Sequence, residues 1–345
     1  MTQRENHAGI RRFFRYSSIT LVGLLLGCFA WAQSDQALNE GDRAPKSLFA
    51  LAEPQHGVGV TEESTLQVPA ALPSITLILI PAGTFTMGAT AEQQEDFIRF
   101  PGSAQWIDRT APLVESSGPA HEVNLDSFYI FKFDVTNAQY QAFVRATGHQ
   151  NSRNSNNTRY NGPNQPVTGV TWNDARSFCA WAGAQLPTEA QWEKAARGTE
   201  GFIYPWGNVW DATKLRSMDG IAHRVFASIE DWQAWRATNQ SSSEFQAEAR
   251  PADAGSYPKG ASPYGVMDMA GNVWEWVADW YDPSYYKNSP NDNPKGPSFG
   301  DYRVLRGGAW DTPRIANFTW YRETFMPPSG AGNVTGFRCV TGEIR

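Results

Sequence analysis

Cysteine, histidine and charged residues are all scarce in this chain. Its 345 residues include 3 Cys and 5 His, and charged residues make up 19% of the total. The formal net charge is −6 and no basic stripe is present, which argues against a protein that binds nucleic acid or an anionic membrane. Hydrophobic residues reach 41%, so the chain can form a globular core and is not globally disordered.

The N-terminal segment contains a short apolar run. This run, residues 19–32, is shorter than the about 20 residues that a membrane-spanning helix needs. It follows three arginines within 11–15 and ends in a small-x-small sequence, as in a cleavable export signal. We therefore expect residues 1–32 to be an export signal, the mature protein to be periplasmic, and no transmembrane span to remain after cleavage.

Two refinements of the export prediction stay open. The arginine pair within residues 11–15 resembles a twin-arginine signal, which would mean export after folding. Residues 25–28 resemble a lipobox, so lipid anchoring of the mature protein at Cys28 is the alternative to simple cleavage after Ala32. Residues 33–73 have no sustained hydrophobic period and are interpreted as a linker or loosely held arm before a domain at 74–345.

The domain begins with strand patterns. Residues 75–80 are β-branched and apolar, and residues 84–88 alternate as a hairpin partner would. Residues 123–133 also alternate and predict a strand. Residues 90–120 and 216–250 are interpreted as surface insertions, the second with a possible helix.

Three helices carry start signals. Thr136, Thr171 and Thr188 are favourable N-caps, and each precedes apolar residues at helical spacing. Gln139 and Gln191 lie three residues after the first and third caps, as in a capping box. With 14 Trp, 30 Gly and 22 Pro, the rest of the chain is typical of short strands and ordered loops.

Eight sequence blocks resemble the formylglycine-generating-enzyme (sulfatase-modifying factor) family. They follow the family's order at 81–88, 134–137, 169–183, 186–198, 204–208, 271–276, 306–310 and 336–339. Each block is weak alone, but the ordered set is specific. The resemblance implies a single α+β domain of the formylglycine-generating-enzyme-like, C-type-lectin-like fold, with little regular secondary structure.

The resemblance also implies a calcium site and a disulfide. Carried over position by position, calcium would bind the side chains of Asp268 and Glu275 and the carbonyls of Gly271 and Val273. The alternative is that both carboxylates cap loops or pair with an arginine. A second calcium site of the family is in doubt because Arg216 stands where an asparagine is expected. The resemblance pairs Cys179 with Cys339, and two separate buried thiols are the alternative.

The chain departs from the family at its copper site. Family members that make formylglycine hold copper with two cysteines, whereas Thr312 and Asn317 stand at those positions here. Neither side chain offers the soft thiolate that suits Cu(I), so copper is not expected and formylglycine generation is disfavoured. Iron enzymes that share the fold use a histidine cluster, but the mature chain has only the scattered histidines His56, His121, His149 and His223, and no such site is expected.

Polar and aromatic residues remain around the presumed cleft of the family. The candidate recognition residues are Arg306, Trp310, Asp311, Arg314, Asn317, Trp320, Tyr321, Arg322 and Glu323. Aromatic faces beside guanidinium and carboxylate groups could recognise a ligand, although core packing and structural ion pairs are the alternative for each of them.

Two function classes follow from these observations. The first is an accessory or ligand-binding protein of the cell envelope, whose partner would be a small molecule, a peptide or an envelope protein. The second is a periplasmic oxidoreductase of the same family that acts in maturing a secreted product such as a siderophore.

Overall fold

The structure is a computed structural model that describes residues 63–66, 75–101 and 112–342. The predicted export signal and most of the predicted arm lie outside these residues. The described strands are β1 (Glu63–Leu66), β2 (Ile75–Ile80), β3 (Gly83–Met87), β4 (His121–Leu125), β5 (Phe128–Phe131), β6 (Trp274–Trp280), β7 (Arg303–Arg306), β8 (Thr335–Gly336) and β9 (Val340–Thr341).

The described helices are mostly short. They are α1 (Ala91–Arg99), α2 (Asn137–Thr147), α3 (Trp172–Trp181), α4 (Glu189–Arg197), α5 (Met218–Ile221), α6 (Ile229–Asn239), α7 (Ser243–Glu248) and α8 (Tyr285–Asn288). Residues 112–116 are also helical, and 3₁₀ turns occur at Pro258–Gly260 and Arg314–Asn317. This mixture of short helices and small sheets confirms the α+β prediction.

The strands form three small sheets among the described residues. The first has the order β1-β2-β5-β9, the second pairs β3 with β4, and the third has the order β7-β6-β8. The predicted hairpin of β2 with β3 is therefore wrong. Both edges of β2 are occupied, since β1 and β5 pair with it in antiparallel register, and β3 is left to pair with β4.

Two further strand predictions need correction. Residues 123–133 form two strands that belong to different sheets, because the chain turns at Asp126, whose N–H donates to Asn293 Oδ1 at 3.0 Å. Residues 63–66 fall in the predicted arm, yet they pair with β2 as β1, with Glu63 opposite Ile78. Without β1, the backbone N–H and C=O groups on one edge of β2 would have no strand partner. Pairing with residues 63–66 satisfies them.

The helix predictions are confirmed. Capping boxes close the N-termini of α2, α3 and α4 through Thr136, Thr171 and Thr188. In each box the threonine side chain accepts the N–H of the third helical residue, which satisfies a backbone donor that the helix itself cannot. The possible helix within 216–250 is present as α6.

In the predicted surface insertion at 90–120, the described residues 90–101 and 112–120 are instead part of the packed domain. A capping box of Thr90 with Gln93 begins α1. Phe97 is 1% exposed and Val114 is 2% exposed, so two parts of this segment enter the core. Apolar residues at these positions are stabilised by burial, which the polar average of the segment conceals.

A disulfide joins α3 to the end of the chain. Cys179 and Cys339 form it within a core cluster that also contains Phe178 and Phe337, and all four residues are fully buried. The pairing that the family resemblance implies is confirmed. No helix among the described residues is both long enough and apolar enough to cross a membrane.

Candidate functional site

The loop that follows β7 contains Thr312 and Asn317, the two positions that the family resemblance matches to the copper-binding cysteines. Thr312 Oγ1 donates to the carbonyl of Ala309 at 2.9 Å and accepts the Ala309 N–H at 3.1 Å. Asn317 Nδ2 donates to the carbonyl of Pro313 at 3.0 Å. Both side chains therefore hold the conformation of their own loop.

Gly308 shows how tightly this loop is packed. Its φ is +77°, a region that L side chains rarely adopt. A Cβ added at Gly308 would lie 2.4 Å from Asn317 Oδ1, so only glycine allows the asparagine to sit against the backbone. The loop geometry therefore depends on residues from both of its ends.

Most of the predicted cleft residues lie in the interior. Asp311 and Arg314 are half-buried. The buried ones are Arg306, Trp310, Asn317, Trp320, Tyr321, Arg322 and Glu323. In this conformation the set is a packed layer formed by the end of β7 and the loop after it, and two of its nine members present a partly open side chain to solvent.

The two buried arginines of this set, Arg306 and Arg322, pair with carboxylates of α4. Arg322 donates to both oxygens of Glu189, at 2.8 and 3.0 Å. Arg306 contacts Glu193 Oε2 at 2.6 Å and Glu189 Oε1 at 3.3 Å. Glu193 also accepts from Arg197 at 2.9 Å, so the network crosses from the loop to α4 and along that helix.

Electrostatics keep this buried network ionised. Burial alone would raise the pKa of Glu193, but Arg306 and Arg197 hold that pKa below its usual value. Burial alone would lower the pKa of Arg306, but Glu193 raises it. Buried charges are costly unless they are paired and hydrogen-bonded, so these arginines act first as structural ion-pair members.

Helix α1 covers the aromatic residues that end the loop. The ring of Phe97 stacks on Tyr321 at 5.4 Å between centroids with an interplanar angle of 7°. It also lies 6.1 Å from the Phe318 ring and 6.0 Å from the Trp320 ring. Arg314 lies over the Phe100 ring at 4.5 Å, just beyond the end of the helix.

Several buried polar atoms in this layer lack a hydrogen-bond partner among the described residues. They are Asn317 Oδ1, Trp310 Nε1 and Trp320 Nε1. Buried donors and acceptors are nearly always satisfied in folded proteins. A ligand that carries both a hydrogen-bond donor and an acceptor could satisfy the Asn317 oxygen and the two indole N–H groups.

Three of the predicted calcium ligands, Asp268, Gly271 and Val273, lie in a tight turn before β6, and Glu275 is the second residue of that strand. The φ angles of Asp268, Gly271 and Asn272 are +60°, +73° and +58°. A Cβ on Gly271 would lie 2.4 Å from the Arg216 carbonyl oxygen, so glycine is required there. Asp268 Oδ2 accepts the Gly255 N–H at 2.7 Å.

The carboxylate of Glu275 is already engaged. Arg338 donates to its two oxygens at 2.6 and 2.8 Å, and Trp192 Nε1 donates at 2.9 Å. Arg338 also contacts Asp134 at 3.2 Å. Three carboxyl groups, those of Asp134, Asp268 and Glu275, thus influence one guanidinium group.

This excess of carboxyl groups is reflected in their protonation. Burial and repulsion from Glu275 raise the pKa of Asp134 well above its usual value. Burial raises the pKa of Asp268 to about 6. A side-chain hydrogen bond with Glu275 favours the protonated form of Asp134 further, and Asp134 lines a cavity of about 360 Å³. Added positive charge would be favoured here.

A metal site made only of side chains is not present in the described part of the chain. No three His, Cys, Asp or Glu residues there are grouped so that they could hold a metal ion. Calcium would therefore depend on backbone carbonyls as well as carboxylates. At the doubtful second site, Arg216 pairs with Glu248 at 2.9 Å, so its charge is used in that contact.

The sequence interpretation missed the residues that complete the site. Phe97 lies in a segment whose residues are mostly polar, so its burial is not evident from the sequence. Thr90 followed by Gln93 nevertheless matches a capping box and indicates a helix start there. Glu189 and Glu193 are one helical turn apart on α4, and that spacing places two carboxylates on the same side of the helix. Asp134 has no local signal of its own in the sequence, because its partner Arg338 is 204 residues away.

Comparisons with known proteins agree with the fold. The sulfatase-modifying factor enzyme 1-like domain matches residues 64–342. A formylglycine-generating enzyme of Streptomyces coelicolor is 34% identical over 273 residues, which cover 64% of this chain and 80% of that protein. The formylglycine-generating enzyme of Mus musculus is 31% identical over 324 residues, which cover 80% of this chain and 77% of that protein.

A solved structure supports the same fold. PvdO from Pseudomonas aeruginosa superposes with a TM-score of 0.58 and 24% identity, covering 81% of this chain and 98% of that one. At this level of identity the similarity concerns the fold alone. The chemistry has to be argued from the residues of the site.

Proposed function

Because the chain belongs to the sulfatase-modifying factor enzyme 1-like family, we propose that it uses the family fold for binding rather than for copper chemistry. The observation that carries the proposal is the state of Thr312 and Asn317. Each donates a hydrogen bond to a carbonyl of its own loop. A hydroxyl and an amide cannot replace the two thiolates that hold Cu(I).

The ligand would bind at the layer formed by the loop after β7. Trp310, Asn317 and Trp320 have buried polar atoms without partners among the described residues, and these atoms could bind a ligand that has polar groups of its own. A small molecule, a peptide or a protein of the cell envelope would offer such groups. Arg306 and Arg322 would hold the frame of the layer, because they are paired with Glu189 and Glu193.

The cell envelope is the proposed location. Residues 1–32 resemble an export signal, and the disulfide between Cys179 and Cys339 fits an oxidising compartment. Mass spectrometry of the protein from its native membrane and soluble fractions would identify the mature N-terminus. An N-terminus at Gln33 supports a free periplasmic protein, and a lipidated Cys28 supports an anchored one.

Calcium is proposed as a structural ion at the turn before β6. Asp268, the carbonyls of Gly271 and Val273, and Glu275 would hold it, and Glu275 would then share its carboxylate with Arg338. The three carboxyl groups around the one guanidinium of Arg338 support a cation in this region. Calcium would supply charge and rigidity to the turn.

The alternative function is a periplasmic oxidoreductase of the same family. An oxygen electrode, with a cysteine-containing peptide and copper as additions, tests whether the protein carries out formylglycine-type oxygen chemistry. We expect no oxygen uptake by the wild-type protein and no conversion of the peptide thiol to an aldehyde. The double variant Thr312→Cys/Asn317→Cys is the matched control, because it restores the thiolate pair in the same fold. Aldehyde formation by the wild-type protein would refute the binding proposal.

A further inference from the structure

We infer that the cavity of about 360 Å³ beside Asp134 binds a small organic cation, a primary amine with an apolar body. The cavity lies where β5 ends and α2 begins, and residues 253–254 also line it. It shares no residue with the loop after β7. The inference therefore goes beyond the proposed function.

The cavity has the size and composition of a ligand pocket. Ile75, Phe131 and Phe133 form apolar walls, and Asp134 and Asp253 are the two charged residues of the described lining. Ligand pockets typically measure about 300–1,000 Å³ and combine apolar walls with a few polar groups. A single metal ion needs far less space, so the volume fits an organic ligand better.

Both charged residues of the lining are acidic. Asp134 is 1% exposed and Asp253 is exposed, so one carboxyl group lies on the buried side of the cavity and the other on its open side. No lysine or arginine of the described residues belongs to the lining. An anion would be repelled at both ends, whereas a cation would meet a carboxyl group at each.

The positive charge beside Asp134 is already in use. Arg338 donates to Asp134 Oδ1 at 3.2 Å, but it also donates to both oxygens of Glu275. The other side-chain partner of Asp134 is the carboxyl group of Glu275, which adds negative charge instead of offsetting it. A ligand ammonium group would supply the missing positive charge, and its three N–H donors suit carboxyl oxygens.

Neighbouring parts of the chain do not supply that charge. Lys132 is not a lining residue, and its Nζ lies 5.7 Å from the centre of the Phe133 ring in a cation–π contact. Residues 67–74, which precede Ile75, contain no charged residue. A cation at Asp134 would therefore come from a ligand.

The open side of the cavity is held in one shape. Gly255 has a φ of +79°, and a Cβ there would lie 2.6 Å from Phe133 Cε1, so only glycine lets this loop close on the ring. The Gly255 N–H donates to Asp268 Oδ2 at 2.7 Å. Asp253 is therefore carried on a fixed loop, and little conformational entropy is lost when a ligand binds.

The first experiment needs no variant. The probe is 2-phenylethylamine, and its matched control is 2-phenylethanol, which has nearly the same shape and no charge. Both are titrated by calorimetry into the wild-type protein with a chelator present, because calcium at the turn before β6 would offset the same carboxyl groups. We expect the amine to bind with a Kd of roughly 1 mM or tighter, and the alcohol to bind at least about tenfold more weakly.

The second experiment tests the site. Asp134→Asn should weaken amine binding by roughly tenfold to a hundredfold, because it removes the charge of a buried acceptor. Asp253→Asn should weaken it by about twofold to fivefold, because that charge is exposed to solvent. Asp301→Asn is the matched control and should bind the amine as the wild type does, since Asp301 is exposed and does not line the cavity.

Three results would overturn the inference. They are equal binding of amine and alcohol, amine binding that does not saturate, and equal affinities of the Asp253→Asn and Asp301→Asn proteins, which would indicate a general attraction to an acidic protein. If circular dichroism shows that Asp134→Asn is unfolded, Asp253→Asn and the neutral probe decide, because neither disturbs the buried pair with Arg338. No step involves copper, oxygen or the loop after β7, so a failure here is distinguishable from a failure of the proposed function.

Discussion

A substitution of Arg322 tests whether this residue contacts a ligand or forms a structural ion pair. Its guanidinium is fully buried, donates to Glu189 at 2.8 and 3.0 Å, and donates to the Ser116 carbonyl at 2.8 Å. Arg322→Met removes both of these hydrogen bonds from the buried carboxylate of Glu189. Removing one member of a buried pair costs about 3–5 kcal/mol, because the other charge stays buried without compensation.

The assay is thermal and urea unfolding with the disulfide intact. For a domain of this size, about 1 kcal/mol corresponds to roughly 2 °C in Tm, so Arg322→Met should lower Tm by about 6–10 °C. Arg236→Met is the control. That arginine is 38% exposed and lies 3.8 Å from Asp311, a surface pair worth at most about 1 kcal/mol.

A double-mutant cycle with Glu189→Gln completes this test. Because the two side chains are in contact, their substitutions should not be additive, and the coupling should exceed about 1 kcal/mol. If Arg322→Met is no more destabilising than Arg236→Met, the assignment of Arg322 to a structural ion pair is refuted.

Three further predictions concern titration, the disulfide and calcium. Burial and Glu189 raise the pKa of Asp279 to about 7. The unfolding free energy should therefore fall as the pH rises from about 4 to about 7, by up to about 1.4 kcal/mol per pH unit, because only the folded state keeps the proton in this range. Asp279→Asn should flatten this slope in urea titrations and the exposed Asp301→Asn should not. Replacing Cys179 and Cys339 by Ala opens a loop with a sequence separation of 160 and should cost up to about 5 kcal/mol in urea unfolding. Removal of calcium by a chelator should lower the unfolding free energy measured by calorimetry by about 2.7 kcal/mol if calcium had been present at 100 times its Kd. The unfolding free energy of the Asp268→Ala protein should not change on chelation.

The sequence predicted those parts of the fold that depend on local signals. The caps at Thr136, Thr171 and Thr188 act through hydrogen bonds within a single turn, so their helices could be predicted correctly. The disulfide came from the family resemblance, because cysteine spacing alone does not determine pairing.

Strand pairing could not be predicted in the same way. The pattern of β3 shows a strand, but its partner depends on which edges are free in three dimensions, and β2 is already paired on both sides. The single long strand expected at 123–133 divides because two sheets share the chain there. Pairing is a property of the assembled sheets and leaves little local trace.

The sequence identified several residues of the site, but not the role that each of them plays. The sequence singled out Arg306 and Arg322 as polar residues near the loop, but their partners Glu189 and Glu193 lie more than a hundred residues away. Burial at such positions depends on tertiary contacts. A guanidinium that recognises a ligand and one that stabilises the core look the same in sequence.

The most direct test of the central claim is a Cu(I) titration of the purified protein beside the Thr312→Cys/Asn317→Cys variant, with a chromophoric Cu(I) chelator as competitor. The account predicts that the wild-type protein leaves the chelator saturated, while the variant removes copper from it, because only the variant has the thiolate pair at this loop. Stoichiometric, tight Cu(I) binding by the wild-type protein would contradict the account.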